Sequence, residues 1–428
     1  MKKVAPALQK VRTRHGVAEY RLENGLRVLY KRDMTAPVVA VCVTFHVGSR
    51  NEAAGHTGST HILEHLLFKD SEHFNKANGK SFFSYLEQFG AQLNATTWVD
   101  RTNYFEVLPK EHAEEAFAVE ADRLRGSLFN DADLASEMTV VRNEYERGRN
   151  NPYELLEEEL MQTAFTVHPY RIPTIGTKED IEGSTAAKLR EFYDTYYWPN
   201  NATLAVFGDI EPAEMERLVV KHFAKIPRSP HEIPPFTPVE PAQKTARACS
   251  LKHAAGVSIA SIAYKIPEAR HGDYPAIYAL ATILAGGFSS RLQEKLVDKG
   301  MAADVSVMVP AWHDPTVLTF TTTAAPGVTP QKLLELMRRE TRNVARDGIS
   351  SAELSRAKAR IASAGSLERD GVFNEIRMVS EGVAAGDWTF AYRFEDDIAA
   401  LTTRTVNAAA KKYLTAAGET AATLIDTL

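Results

Sequence analysis

The feature that most constrains this chain is that its sequence repeats itself. The stretch KEDIEGSTAAKLREFYDTYYWPNNATLAVFGD, from Lys178, is echoed by FEDDIAALTTRTVNAAAKKYLTAAGETAATLID, from Phe394. DADLASEMTVVRNEYERGRNN, from Asp131, is echoed by SSAELSRAKARIASAGSLERDG, from Ser350. Several echoes at nearly one offset are more than chance likeness between amphipathic helices, and they imply two similar halves of one duplicated fold. A length of 428 residues agrees, because it exceeds what one hydrophobic core usually organises. Between the halves, PRSPHEIPPFTPVEP holds six of the twenty prolines, a density that resists both helix and sheet ladder and reads as an extended linker. The expected partition is therefore a domain over 1–227, a linker over 228–244 and a second, homologous domain over 245–428.

Within the first half, Tyr20, Leu22, Leu26, Val28 and Tyr30 alternate around Asn24 and Gly25, a hairpin signal, before the apolar run VVAVCVTFHV. Long stretches such as HAEEAFAVEADRLRGSLF and DLASEMTVVRNEYERGR follow, with apolar residues recurring at three and four. Strands and helices mix without a regular βαβ rhythm, which predicts an α+β fold in which each domain is a mainly antiparallel sheet covered by helices.

The charge balance excludes some functions. A formal net charge of −5 offers no basic footprint for nucleic acid or an anionic membrane. No apolar run reaches the ~18 residues of a membrane helix, and the start MKKVAPALQKVRTRHG lacks an apolar region behind its charged head. We expect a soluble chain, in a bacterial periplasm with its signal peptide removed rather than in the cytoplasm. The two cysteines, Cys42 and Cys249, lie far apart and support neither a disulfide framework nor a thiolate zinc site, and Cys42 reads as a buried apolar thiol.

The chemistry concentrates in GHTGSTHILEHLLF. On a helix, His61 and His65 stand one turn apart on the same face and can present two imidazole nitrogens to one metal ion. Glu64 sits beside that face, where it can take a proton from an activated water. HxxEH is the inverted form of the HExxH zinc motif. Catalytic zinc needs a third protein ligand and an open position. The helix TVVRNEYERGRNNP offers Glu144, with Glu137 two turns earlier. Taken alone, each of these reads as a solvated helix glutamate.

HILEHLLFK, FGAQLNATTWVDRTNYFEVLP, VVRNEYERGRNNP, HPYRIPTIGTKEDI and YYWPNNATLAVFGDI together resemble, in order and spacing, the pitrilysin family of zinc peptidases. Length and two-domain build resemble the group containing mitochondrial processing peptidase and its bacterial two-chain relatives. The second half resembles it more weakly, through LAGGFSSRLQEKLVDKGMA. The resemblance implies that one zinc per chain is held by His61, His65 and Glu144, that Glu64 is the base, and that Glu137 orients a ligand from behind. It implies that Leu93, Asn94, Ala95, Thr96 and Thr97 form an edge strand on which an extended peptide adds, Asn94, Ala95 and Thr96 contacting substrate.

Many members carry an arginine and, seven residues on, a tyrosine that hold the substrate backbone and the developing oxyanion. Here Val297 and Asp304 stand in those places, and the echoes of His61, His65 and Glu144 fall near Ala281, Ala285 and Ala364. The resemblance then implies a heterodimer, in which a homologous chain supplies the missing pair and short or unfolded peptides are cut. A self-sufficient homodimer and a non-catalytic scaffold subunit are the alternatives. Ligand type constrains the metal less than it constrains the site, so manganese or cobalt can substitute in vitro.

Overall fold

The computed structural model describes residues 8–235 and 238–427. Phe236 and Thr237, inside the expected linker 228–244, lie outside the described residues, as do residues 1–7 and 428 at the outer ends of the two expected domains. The chain is α+β, with two sheets in two compact units that each draw on both halves of the sequence. The first unit comprises Met1–Asn143, Pro173–Thr237 and Glu368–Ala391, and the second Glu144–Ile172, Pro238–Leu367 and Tyr392–Leu428.

The first sheet is built from β1 (Gln9–Arg14), β2 (Val17–Arg21), β3 (Arg27–Arg32), β4 (Val38–Phe45), β5 (Gln92–Thr97), β6 (Thr102–Pro109) and β7 (Ala202–Gly208), in the order β1-β2-β3-β7-β4-β6-β5. All neighbours are antiparallel except β3 and β7. The expected hairpin joins β2 to β3. Gly25 adopts a φ of +94°, and the Asn24 side chain ties the turn down by accepting from Leu26 N and donating to the carbonyls of Phe223 and Ile226. Cys42 is buried in β4 and free, as its apolar neighbours imply.

The second sheet contains β8 (Arg247–His253), β9 (Ile259–Ile266), β10 (Ala302–Met308), β11 (Thr316–Ala324) and β12 (Glu419–Asp426), in the order β10-β11-β9-β12-β8. Read from β8, this is the order of the last five strands of the first sheet. In both, the strand that closes the unit slots in parallel beside its first strand and antiparallel to its second. The duplication visible in the sequence is thus a duplication of topology.

The two halves exchange a helix. Pro152–Ala164, from the first half, packs on β12, β8 and β9 in the second unit, burying Leu155, Leu156, Leu160 and Ala164. Val372–Ala384, from the second half, packs on β4 and β7 in the first unit, burying Val372, Ile376, Val379 and Val383. Polar contacts fix its register. Ser380 Oγ bonds Thr44 Oγ1 at 2.7 Å and accepts from Asn103 Nδ2 at 2.9 Å, and Glu375 pairs with Lys31 at 2.6 Å. Among the described residues, no helix is long and apolar enough to cross a membrane.

Four buried aliphatic side chains at about 1.5–3 kcal/mol each amount to roughly the whole stability of an ordinary domain. A fragment of residues 8–240 should therefore fail to fold by itself and should gain cooperative unfolding when residues 366–392 are supplied. Circular dichroism with urea titration checks this, and a fragment that unfolds cooperatively unaided contradicts it.

Candidate metal centre

The helix Ser59–Leu66 has only eight residues, too few to be stable by itself, and it is held by what surrounds it. Ile62, Leu63 and Leu66 are buried, which turns His61, Glu64 and His65 to the half-buried side. Its N-cap residue Gly58 is left-handed, with φ +85° and no side chain to cap the first turn. A Cβ there would lie 2.5 Å from the carbonyl oxygen of Ile175, so only glycine fits on both counts.

Glu52 supplies the missing cap from outside. Its carboxylate accepts from Gly58 N at 2.8 Å, Thr60 N at 2.7 Å and Thr60 Oγ1 at 2.6 Å. Burial pushes the Glu52 carboxyl up to about 8 against those hydrogen bonds, with Asp180 adding to the rise. Asp180 in turn accepts from Thr57 N and, at 2.6 Å, from Thr57 Oγ1. The start of the HxxEH helix is thereby clamped from two sides.

The His61 and His65 rings stand edge to face with centroids 4.9 Å apart, as i and i+4 positions require. The helix Asp131–Arg149 runs unbroken past them and carries both Glu137 and Glu144. One ligand atom from each of His61, His65 and Glu144 lies within 4.8 Å of the others. Burial, and then the neighbouring His65, push His61 down to about 4, so its imidazole is neutral with a lone pair free of a proton. Two neutral imidazoles and one carboxylate are the donor set of an open zinc site, and the residues present fit that ion.

Glu137 lies behind His65 rather than among the three ligand atoms. Its Oε2 is 3.0 Å from His65 Nδ1, and Lys69 forms an ion pair with its other oxygen. Burial alone would raise the Glu137 carboxyl, but the hydrogen bonds from Lys69 and His65 outweigh burial and hold it below its usual range. An ionised carboxylate only accepts, so His65 Nδ1 donates, and it is the neutral ring in that tautomer that offers the Nε2 lone pair to a metal. Burial first, and the charge of Glu64 among smaller causes, raises the phenols of Tyr104 and Tyr197, which places Glu64 near two buried, neutral tyrosines.

Strand β5 is an edge strand, paired only with β6 within the sheet, and the HxxEH helix packs against it. Asn94 and Thr96 are exposed and Ala95 is buried. Asn94 Oδ1 accepts from Ala95 N at 2.9 Å, and Arg101 donates to Thr96 O at 2.9 Å. Beside the strand opens a cleft of about 460 Å³ lined by Phe83, Glu87, Leu93, Asn94, Phe105 and Phe373.

The structure brings His61, His65, Glu144 and Glu137 together, with Glu64 on the same helix and Asn94, Ala95 and Thr96 on the adjoining strand. Val297 and Asp304 fall in the second unit, where the Asp304 carboxylate accepts from Thr323 Oγ1 at 3.0 Å across to β11. Ala281 and Ala285 are buried in the helix Tyr274–Ala285. Sequence reading missed Glu52, Lys69 and Asp180. A buried acid shortly before an uncapped Gly-Ser-Thr helix start is the one signal that could have found Glu52.

Comparison with known proteins identifies the chain's relatives. Residues 27–178 match the family described as "Insulinase (Peptidase family M16)" and residues 184–361 match "Peptidase M16 inactive domain". The chain belongs to the M16 peptidase family, the pitrilysin-like zinc proteases. It is 34% identical over 284 residues to "Zinc protease PqqE" of Helicobacter pylori, a match spanning 65% of this chain and 63% of that protein. It is 28% identical over 347 residues to "Uncharacterized zinc protease YmxG" of Bacillus subtilis, covering 80% of this chain and 82% of that one. A crystal structure of a protease from Helicobacter pylori superposes with a TM-score of 0.90 at 26% identity, over 98% of this chain and 100% of that one.

Removing the cap should loosen the site. Glu52→Ala leaves buried donors of Gly58 and Thr60 unsatisfied and should cost roughly 1–3 kcal/mol in urea unfolding. A folded carboxyl near 8 against an ordinary 4.5 favours the folded state at low pH, and that contribution is lost as pH rises through 8. The loss therefore runs between the two values, so the fall in stability from about pH 5 to pH 8 should be smaller in Glu52→Gln than in the wild type, and an equal fall would refute the assignment.

Proposed function

We propose that this chain is the zinc-bearing subunit of a peptidase that hydrolyses short or unfolded peptides with an activated water, its active unit completed by a homologous chain. The observation that carries the reading is the convergence of His61, His65 and Glu144 on one point, with Glu137 fixing the tautomer of His65. Family membership supports the reaction class.

His61, His65 and Glu144 would hold the zinc. Bound there, the ion supplies Lewis acidity that polarises the scissile carbonyl and eases deprotonation of water. Glu64 takes the proton of the attacking water and returns it to the leaving amine, so one carboxylate serves first as base and then as acid. Glu137 keeps the His65 Nε2 lone pair aimed at the ion, and Lys69 keeps Glu137 ionised. The peptide adds to β5 as a further antiparallel strand. To do so it displaces the Asn94 side chain from Ala95 N, and the apolar cleft beside Leu93 and Phe105 takes one of its side chains. Only an extended chain offers its backbone this way, which favours unfolded peptides over folded proteins.

Purified chain should contain one zinc, and His61→Ala or His65→Ala should remove most of it. Glu64→Gln should retain zinc while turnover falls by about 10²- to 10⁴-fold, since it is the base and not a ligand. Glu144→Gln should lose more zinc than Glu137→Gln, whose affinity falls by roughly 10- to 100-fold. Elemental analysis beside a quenched-peptide assay decides, and a fully active Glu64→Gln enzyme sinks the mechanism.

Val297 and Asp304 cannot donate as an arginine and a tyrosine do, which is the ground for a partner chain bearing that pair. Peptidase activity should appear mainly on mixing the two chains, and replacing the partner's tyrosine by phenylalanine should cut turnover by about 10²- to 10³-fold with zinc binding here unchanged. Equal activity of this chain alone would make a homodimer the better reading.

A further inference from the structure

The second unit holds a cavity of about 160 Å³ between the loop Gly286–Ser290 and the helix Ser351–Glu368. At the offset that sets Ala281 against His61, Ala285 against His65 and Ala364 against Glu144, Ala357 in its wall stands against Glu137. Ala357, the counterpart of Glu137, lines the cavity, whereas the counterparts of the three ligands do not. The lining is basic. Arg356 and Arg360 line it one helical turn apart, and among the described residues neither forms an ion pair. The one acid in the lining, Glu353, is spent on Arg291, which meets it with Nε at 2.6 Å and Nη2 at 3.1 Å, and on Ser350, which donates N and Oγ at 2.8 Å.

Two further observations make this a built site. Gly287 has φ +136°, and a Cβ there would meet Arg360 Nη1 at 2.7 Å, so the guanidinium lies against bare glycine backbone and is held in place by it. Ser290 is 4% exposed, and its Oγ, buried in the same lining, has no hydrogen-bond partner among the described residues. A buried hydroxyl left unmatched costs about 1–3 kcal/mol, which a bound oxygen atom offsets.

We propose that this pocket binds an oxyanion, with Arg356 and Arg360 pairing to its oxygens through their planar forks and Ser290 Oγ donating a third hydrogen bond. Inorganic phosphate and a peptide's terminal carboxylate carry the same chemistry. The pocket is large enough for either group, and Phe288, 91% exposed at the rim, offers a ring face to whatever the anion is attached to.

The test uses the full-length chain, followed by isothermal titration calorimetry at constant ionic strength with sodium phosphate, with an N-acetylated dipeptide acid and with the corresponding dipeptide amide. Saturable binding of phosphate, of the acid, or of both, with none of the amide, is expected, and which of the two binds identifies the source of the anion. Arg356→Gln and Arg360→Gln should each weaken binding by roughly 10- to 100-fold, with Arg360→Lys losing less, while Arg346→Gln leaves it unchanged. Circular dichroism confirms that the variants fold, as exposed positions on a long helix allow. No saturable binding, equal binding of acid and amide, or binding undiminished in the Arg356→Gln/Arg360→Gln double variant would each overturn the proposal.

Discussion

Everything the candidate centre can do depends on a carboxyl group that never enters it. An eight-residue helix has too few internal hydrogen bonds to repay its own nucleation, and a left-handed glycine at its N-cap leaves the first turn without a local partner. Glu52 meets that need by accepting two backbone N–H groups and the Thr60 hydroxyl at once. Asp180 then holds Thr57, the residue before the glycine, from another segment. The two imidazoles inherit their positions from this clamp, because nothing in Ile62, Leu63 and Leu66 beyond apolar burial sets the rotation of the helix.

A second dependence runs along the helix Asp131–Arg149. Glu137 and Glu144 lie two turns apart on one rigid rod, so the bond from His65 to Glu137 also sets where Glu144 stands. Lys69, one turn beyond His65, pairs with Glu137 and keeps it ionised despite its burial. The chain His65, Glu137, Lys69 is therefore an orienting device in which the two donors hold Glu137 ionised and Glu137 in turn holds the His65 ring by its Nδ1.

What the sequence made legible follows from the range of the interactions involved. The α+β class, the Asn24-Gly25 hairpin and the helix Ala113–Gly126 rest on local periodicity and turn chemistry, which are written in neighbouring residues. HxxEH is legible because helical geometry alone brings i and i+4 together. Glu137 and Glu144 were reachable only through resemblance, since seventy and more residues of chain separate them from the histidines and no local rule says which glutamates of a charged helix face inward. The exchange of Pro152–Ala164 and Val372–Ala384 was hidden for a similar reason. Amphipathicity shows that a helix has a face to bury, not which sheet it will cover. Glu52 was missed because two of its three donors are backbone N–H groups, which name no partner residue, and the only signal was an uncapped helix start just after a buried acid.

The duplication shows what a polar site demands of its fold. In the second unit the helix Tyr274–Ala285 buries ten of its twelve residues, alanines standing where the first half has His61 and His65. Such a helix is anchored by apolar area alone and needs no outside cap. Its counterpart Ser59–Leu66 is four residues shorter and turns three polar side chains toward the site, so it forgoes part of that area. The loss is made good by hydrogen-bonded neighbours whose cost of burial is visible in the raised carboxyl of Glu52. One copy of the fold thus spends its helix on packing and the other on chemistry. The same topology can keep both because the strands that define it, β3-β7-β4-β6-β5 and β8-β12-β9-β11-β10, carry none of the ligand residues.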